Sequence, residues 1–214
     1  MSAKSTFWEF FPIGTNARAA PADFDPFGLV PGSPDTDGIE WAPEIEYAVA
    51  DGVALEFEVP FENSTLEAWK FAGQLIFGTS ADKRFIHGSQ VIAEPDVQFE
   101  EWQLTFLYLA GVKYNRTWSS MTMLGARPQI EEGRGTDFVD GIFNHTVFAN
   151  LNDHTTFGFE TNFTFRNPTR TSALLMPQFD VECTDNVEIQ FGVGVGFSDE
   201  GTEPLAGLRA IYSR

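Results

Sequence analysis

The stretch GVALEFEVPF, Gly52 to Phe61, decides how the chain is read. Val53, Leu55, Phe57, Val59 and Phe61 alternate with Ala54, Glu56, Glu58 and Pro60. In an extended strand successive side chains point to opposite faces, so this segment has one apolar face and one acidic face. The pattern recurs on both sides of it. Trp41, Pro43, Ile45, Tyr47 and Val49 oppose Glu44, Glu46 and Ala48, and Val187, Ile189, Phe191, Val193, Val195 and Phe197 oppose Glu188, Gln190 and three glycines. A fold built from such strands needs an apolar surrounding on one face and water on the other.

Eleven segments read as strands: 41–49, 52–61, 66–78, 83–93, 100–113, 117–127, 137–150, 155–166, 171–182, 187–197 and 204–212. Tight connections at 50–52, 80–82, 115–116, 152–154 and 184–186 alternate with looser ones at 62–65, 94–99, 128–136, 167–170 and 198–203. Short turns at one end and longer loops at the other predict an all-β, antiparallel, up-and-down transmembrane β-barrel whose short end faces the periplasm. An even strand number and a periplasmic start require one more strand. Residues 5–13, with Phe7, Trp8, Phe10 and Phe11, would supply it and bring the count to about 12. The expected organisation is an N-terminal segment over 1–38, carrying that strand and a long acidic Pro/Gly-rich loop, followed by the barrel over 39–214. The alternative is an N-terminal extension before an eleven-stranded or partly open sheet.

Composition excludes several function classes. The formal net charge is −18 and the pI about 4.3, with 13 basic residues dispersed along 214. Nucleic acid is not an expected partner, because phosphate binding requires clustered Lys and Arg. The 22 phenylalanines and five tryptophans coexist with a mean hydropathy of −0.16, so apolar residues are spread by alternation. No run approaches the roughly 18 consecutive apolar residues of a spanning helix, a test that a β-barrel escapes. Cys183 is the single cysteine and cannot form an intramolecular disulfide. Met1 to Phe11 shows neither an apolar h-region nor a small-residue cleavage site, so an exported chain is expected to carry its signal upstream.

Strand parity sorts the side chains into two sets. Glu44, Glu46, Glu56, Glu58, Lys70, Gln74, Gln103, Lys113, Glu160, Asn162, Gln178, Asp180, Glu188, Gln190 and Arg209 are expected to line a lumen. Ile45, Tyr47, Leu55, Phe57, Val59, Trp69, Phe71, Trp102, Phe106, Phe157, Phe159, Phe163, Phe191 and Val193 are expected to face lipid. Trp41, Trp69, Trp102, Trp118, Tyr47, Tyr108, Tyr114 and Tyr212 lie near strand ends or on the apolar face, as interfacial girdles require. Inward bulk is expected to be scarce, with Gly192, Gly194 and Gly196 making room for neighbouring side chains or for a lumen.

The segments APEIEYAVADGVALEFEVPF, YLAGVKYNRTW with LGARP, and VEIQFGVGVGFSDEGTEPLAGLRAIYSR together resemble the bacterial outer-membrane barrels of the meta-pathway phenol-degradation or putative transporter family over about 41–214. The resemblance implies an outer-membrane channel for small, often apolar, molecules. The ending Ile211-Tyr212-Ser213-Arg214 departs from the terminal aromatic usual in such barrels.

No catalytic set, metal site or cofactor is expected. His87, His145 and His154 lack metal-ligand spacing and are expected in polar loops or the lumen. Asn144-His145 is accompanied by no serine motif of a lipase, and the GVGVG of 192–196 is not a phosphate loop, because its glycines alternate with valines inside a strand. Three readings remain at this point. The first is a passive channel or transporter for small apolar or cationic molecules, with outer-membrane lipid and a small-molecule permeant as its partners. The second is a filled, anchoring barrel that binds surface or periplasmic proteins. The third is a soluble ligand-binding β-barrel or sandwich.

Overall fold

The computed structural model describes residues 40–131, 135–166, 170–199 and 201–212. The strand expected over 5–13 and the loop over 14–38 lie outside the described residues. The elements are β1 (Glu40–Trp41), β2 (Glu44–Ala50), β3 (Val53–Glu58), β4 (Phe61–Glu62), β5 (Thr65–Leu66), β6 (Lys70–Thr79), β7 (Phe85–Pro95), β8 (Glu101–Lys113), β9 (Trp118–Glu131), β10 (Gly135–Asn152), β11 (Thr155–Arg166), β12 (Arg170–Thr184), β13 (Val187–Ser198) and β14 (Gly201–Tyr212). Eleven of them form one sheet in the order β14-β13-β12-β11-β10-β9-β8-β7-β6-β3-β2, all neighbours antiparallel. This is the up-and-down meander that the turn pattern predicts. β1, β4 and β5 form a small separate sheet at the long-loop end, between Trp41 and Leu66.

The sheet curls until its ends approach. Within the described residues β2 and β14 are its edges, yet the Arg209 guanidinium on β14 donates to the Glu44 carboxylate on β2, 165 positions away. At the short end Gly52 takes φ +74°, a left-handed conformation open to glycine at little cost, and its carbonyl accepts the Ile76 N–H at 2.8 Å. At the long end the Asp96 carboxylate accepts the N–H groups of Glu101 (3.0 Å) and Glu100 (2.7 Å), which hold it below the usual carboxylate range.

One loop is shorter than the sequence suggests. Pro128 reads as the start of a connection over 128–136, but it pairs with Val139 inside the β9–β10 ladder, and the strands continue to Glu131 and from Gly135. The ladder absorbs the change through an irregularity between Thr136 and Phe138.

Inward bulk is plentiful, against expectation. Ile86, Ile92, Leu107, Leu109, Met121, Met123 and Phe148 pack as a buried cluster on the inner wall of β7 to β10, and Leu174 and Met176 are fully buried on β12. The inward glycines allow close packing between neighbouring strands. A Cβ on Gly192 would crowd Met176 at 3.1 Å, and one on Gly158 would crowd Gln178 at 2.9 Å. At Gly125 it would strike the Phe106 carbonyl of the neighbouring strand and lie 2.6 Å from Leu107. Because the Phe106 carbonyl belongs to the backbone, Gly125→Ala is expected to destabilise the barrel by about 2–3 kcal/mol, the upper part of the range for overpacking, measured by denaturant unfolding in detergent micelles.

Candidate functional site

Two surfaces result from the strand alternation, and each has a distinct chemistry. The outward one is apolar. Ile45, Tyr47, Leu55, Phe71, Phe106, Phe159, Phe191 and Val193 are exposed, reaching 72% for Ile45 and 65% for Val193. Phe57, Trp69, Phe157 and Phe163 are half-covered by rings on the same face: Phe57 stacks between Trp69 (6.1 Å) and Phe71 (5.2 Å), Phe157 meets Phe179 at 5.3 Å, and Phe163 meets Phe143 at 6.1 Å. Trp102 and Val59, also half-buried, lie towards the long-loop end, where the Trp102 indole donates to the Phe99 carbonyl at 3.2 Å. Val139, Leu124, Leu208 and Phe197 extend the exposed apolar surface around the other strands. A continuous belt of this kind far exceeds the few hundred Å² of apolar patch that a soluble monomer exposes.

The inward surface is polar over β2, β3 and β6 and over β11, β13 and β14, and mixed over β7 to β10 and β12. Glu56, Glu58, Lys70, Gln74, Glu160, Asn162, Gln178, Asp180 and Gln190 are all buried there. Glu44, Glu46, Gln103, Glu188 and Arg209 are half-buried on the same face, and Lys113 is half-buried at the end of β8. Charges on this face pair across strands. Lys70 Nζ lies 2.9 Å from Glu58 and Arg209 meets Glu44, while along β11 the Asn162 amide donates to Glu160. Gln90 Nε2 donates to Glu56 at 3.4 Å, and with Glu46, Ala54, Gln74 and others these two line a small cleft. Glu44, Glu56 and Glu58 bring carboxylate oxygens within 4.8 Å of one another. Such pairing offsets the large penalty of removing charges from water.

The most buried polar centre was not legible in the sequence. Asp140 on β10 is fully buried and accepts two hydrogen bonds from the Arg166 guanidinium, at 2.7 and 2.9 Å, while Arg127 Nε lies 3.6 Å away. Arg166 also sits 3.6 Å over the Phe138 ring. Arg127, Asp140 and Arg166 all lie within segments read as strands (117–127, 137–150 and 155–166), where parity puts them on the inward face, but none was among the residues expected to line the lumen.

Two histidines are corrected in position. His87 and His145 are neither in loops nor in the interior. His87 lies on the outward face between Phe77 and Phe85, with its Nδ1 3.1 Å from the Tyr108 hydroxyl. His145 stacks on Phe143, its Nδ1 2.9 Å from Thr122 Oγ1. Their odd positions in β7 and β10 give this face directly, because even positions there are the buried ones. His154 is in a tight turn, as expected, beside Glu182 at 3.2 Å.

Taken as chemistry, the inner face is a wall of carboxylates, carboxamides and hydroxyls, suited to contacting hydrated or hydrogen-bonding solutes. Among the described residues its carboxylates (Glu44, Glu46, Glu56, Glu58, Asp140, Glu160, Asp180 and Glu188) outnumber its cations (Lys70, Lys113, Arg127, Arg166 and Arg209).

No protein-family model matches the sequence, and no curated protein matches it. Solved structures do match. The chain is similar to a KdgM porin in complex with disordered oligogalacturonate, with a TM-score of 0.65 and 11% identity over 83% of this chain and 94% of that one. It is also similar to the NanC porin, with a TM-score of 0.68 and 7% identity over the same shares. At such identities the likeness is one of fold: the chain has the antiparallel β-barrel architecture of these porins.

Proposed function

We propose that this protein is a bacterial outer-membrane β-barrel acting as a passive channel for small molecules, one that favours cationic and neutral solutes over anions. The observation that carries the reading is the division of faces. Apolar side chains are exposed all around the outside, while acids and amides are turned in and buried. Outer-membrane barrels alternate apolar-out and polar-in along every strand, whereas a soluble sandwich buries its apolar rows against each other. The porin fold of the similar structures supports the same assignment. Membership of the phenol-degradation transporter family is the finer proposal; it rests on the segments quoted above and on no matching family model.

The charge of the interior sets the solute class. The KdgM structure carries oligogalacturonate, a polyanion. Here the acidic excess repels anions and attracts cations, as rings of carboxylates do in cation channels. Planar-bilayer recording tests both statements. The wild-type protein is expected to give conductance steps with a cation-selective reversal potential. The E56Q/E58Q double variant should move that potential towards zero, the more so because Glu58 holds Lys70 at 2.9 Å and its neutralisation leaves that ammonium uncompensated. An unchanged reversal potential in a conducting variant would reject the selectivity.

A second reading is favoured by the cross-linked ion pairs and by the Ile, Leu, Met and Phe packing inside. Those contacts describe a filled barrel that anchors partners at the cell surface or in the periplasm. The same recording separates the two, since a filled barrel gives no steps.

A further inference from the structure

Basic residues that look scattered along the chain meet at one sector of the short-turn rim. Lys83 and Arg84 stand in the β6–β7 turn and Arg116 in the β8–β9 turn, all exposed. These turns are joined: the Arg84 guanidinium donates to the Tyr114 carbonyl, and the Arg84 carbonyl accepts the Lys113 N–H at 2.7 Å. The other three tight turns carry Asp51, Asp153 and Asp185 and no Lys or Arg. In a chain of net charge −18 this rim sector is a local reversal of sign. Within the sector the one carboxylate, Asp82, is engaged by the Ser80 hydroxyl and the Arg84 N–H.

Two further observations give the sector a direction and a cost. Directly beside it on the outward face lie Phe77, Phe85, Tyr108 and Trp118, all exposed aromatics of the kind that mark the membrane interface. Lys83 takes φ +54°, a left-handed conformation that glycine would adopt with less strain.

We infer that Lys83, Arg84 and Arg116 form a binding surface for anionic phospholipid headgroups in the leaflet at the short-turn end. The inference rests on the outer-membrane reading above. A barrel whose apolar belt sits in the hydrocarbon places these cations, one turn beyond the aromatics, at the depth of lipid phosphates. Each Lys or Arg so placed adds to the attraction for anionic lipid, and the attraction weakens as salt screens it.

The test reconstitutes the full chain into vesicles of phosphatidylcholine alone and of phosphatidylcholine mixed with phosphatidylglycerol, then measures retention of a labelled phosphatidylglycerol around the barrel. Wild-type protein is expected to prefer the anionic lipid in low salt and to lose the preference in high salt. The K83Q/R116Q variant should insert equally well into phosphatidylcholine and show a preference reduced roughly tenfold or more. Arg84 is left intact because it ties the two turns together. Equal preference in variant and wild type would overturn the inference, as would a wild type with none. Retention of soluble polyglutamate without any lipid preference would reassign the patch to an acidic protein and also overturn it. Failure to insert into either vesicle would instead reject the membrane reading, and the headgroup site with it.

Discussion

Asp140→Ala is expected to destabilise the barrel by about 3–5 kcal/mol, the scale for breaking a buried ion pair from one side. The carboxylate is fully buried and holds Arg166 through two bonds of 2.7 and 2.9 Å, with Arg127 3.6 Å off. Removing it leaves two guanidinium groups facing each other in a space whose remaining neighbours include the Phe138 ring. Asp140→Asn keeps the shape and removes only the charge, so it should lose nearly as much. Replacing Arg166 by Met in the Asp140→Ala background should recover part of the loss, since one of the uncompensated cations is then gone. Denaturant unfolding in micelles reads all three variants. A midpoint unchanged in Asp140→Ala would show that the cluster contributes little.

Val193→Arg separates the lipid reading from a soluble one. Val193 is 65% exposed on the middle of β13, paired with Ala206 of β14, and its removal opens no cavity. In water such a surface substitution stays within about ±0.5 kcal/mol. In a bilayer an outward Arg near the midplane costs about 2–4 kcal/mol. Folding titrations in vesicles are expected to show the larger value, with Asp185→Arg in the β12–β13 turn, outside the hydrocarbon, nearly neutral. A Val193→Arg protein as stable as wild type would place that face in water.

The architecture was readable because period-two alternation survives in almost every strand, and because Asp-Gly and Asn-Asp turns separate segments of matching length. Parity then sorted Glu56, Gln178 and Asp180 from Phe71, Phe191 and Val193 without any long-range information. What escaped was the packing between strands. Nothing local to Leu107, Met121 or Phe148 says that they pack together, because that contact is made by the pairing of β8, β9 and β10. The Arg127, Asp140 and Arg166 cluster escaped because its members come from three strands and meet only through the pairing of β9, β10 and β11, which continues through Pro128 opposite Val139. His87 and His145 were misplaced because polarity was weighed over position. Their rings bury edge and face among Phe77, Phe85 and Phe143, and their nitrogens bond to Tyr108 and Thr122, which is how an imidazole is satisfied on an apolar face. The basic rim escaped for a related reason: Lys83 and Arg116 are far apart in sequence and become neighbours only through the pairing of β7 with β8.

The most direct test of the account is collision accessibility of spin labels in vesicles. Labels would be placed singly at 189, 190, 191, 192 and 193 of β13, in a background where the exposed Cys183 is replaced by Ser. Labels at 189, 191 and 193 are expected to collide with oxygen dissolved in lipid and to be shielded from a water-soluble nickel chelate, with 190 and 192 shielded from the lipid phase. Nickel accessibility at 191 and 193 equal to that of a loop label would contradict this expectation.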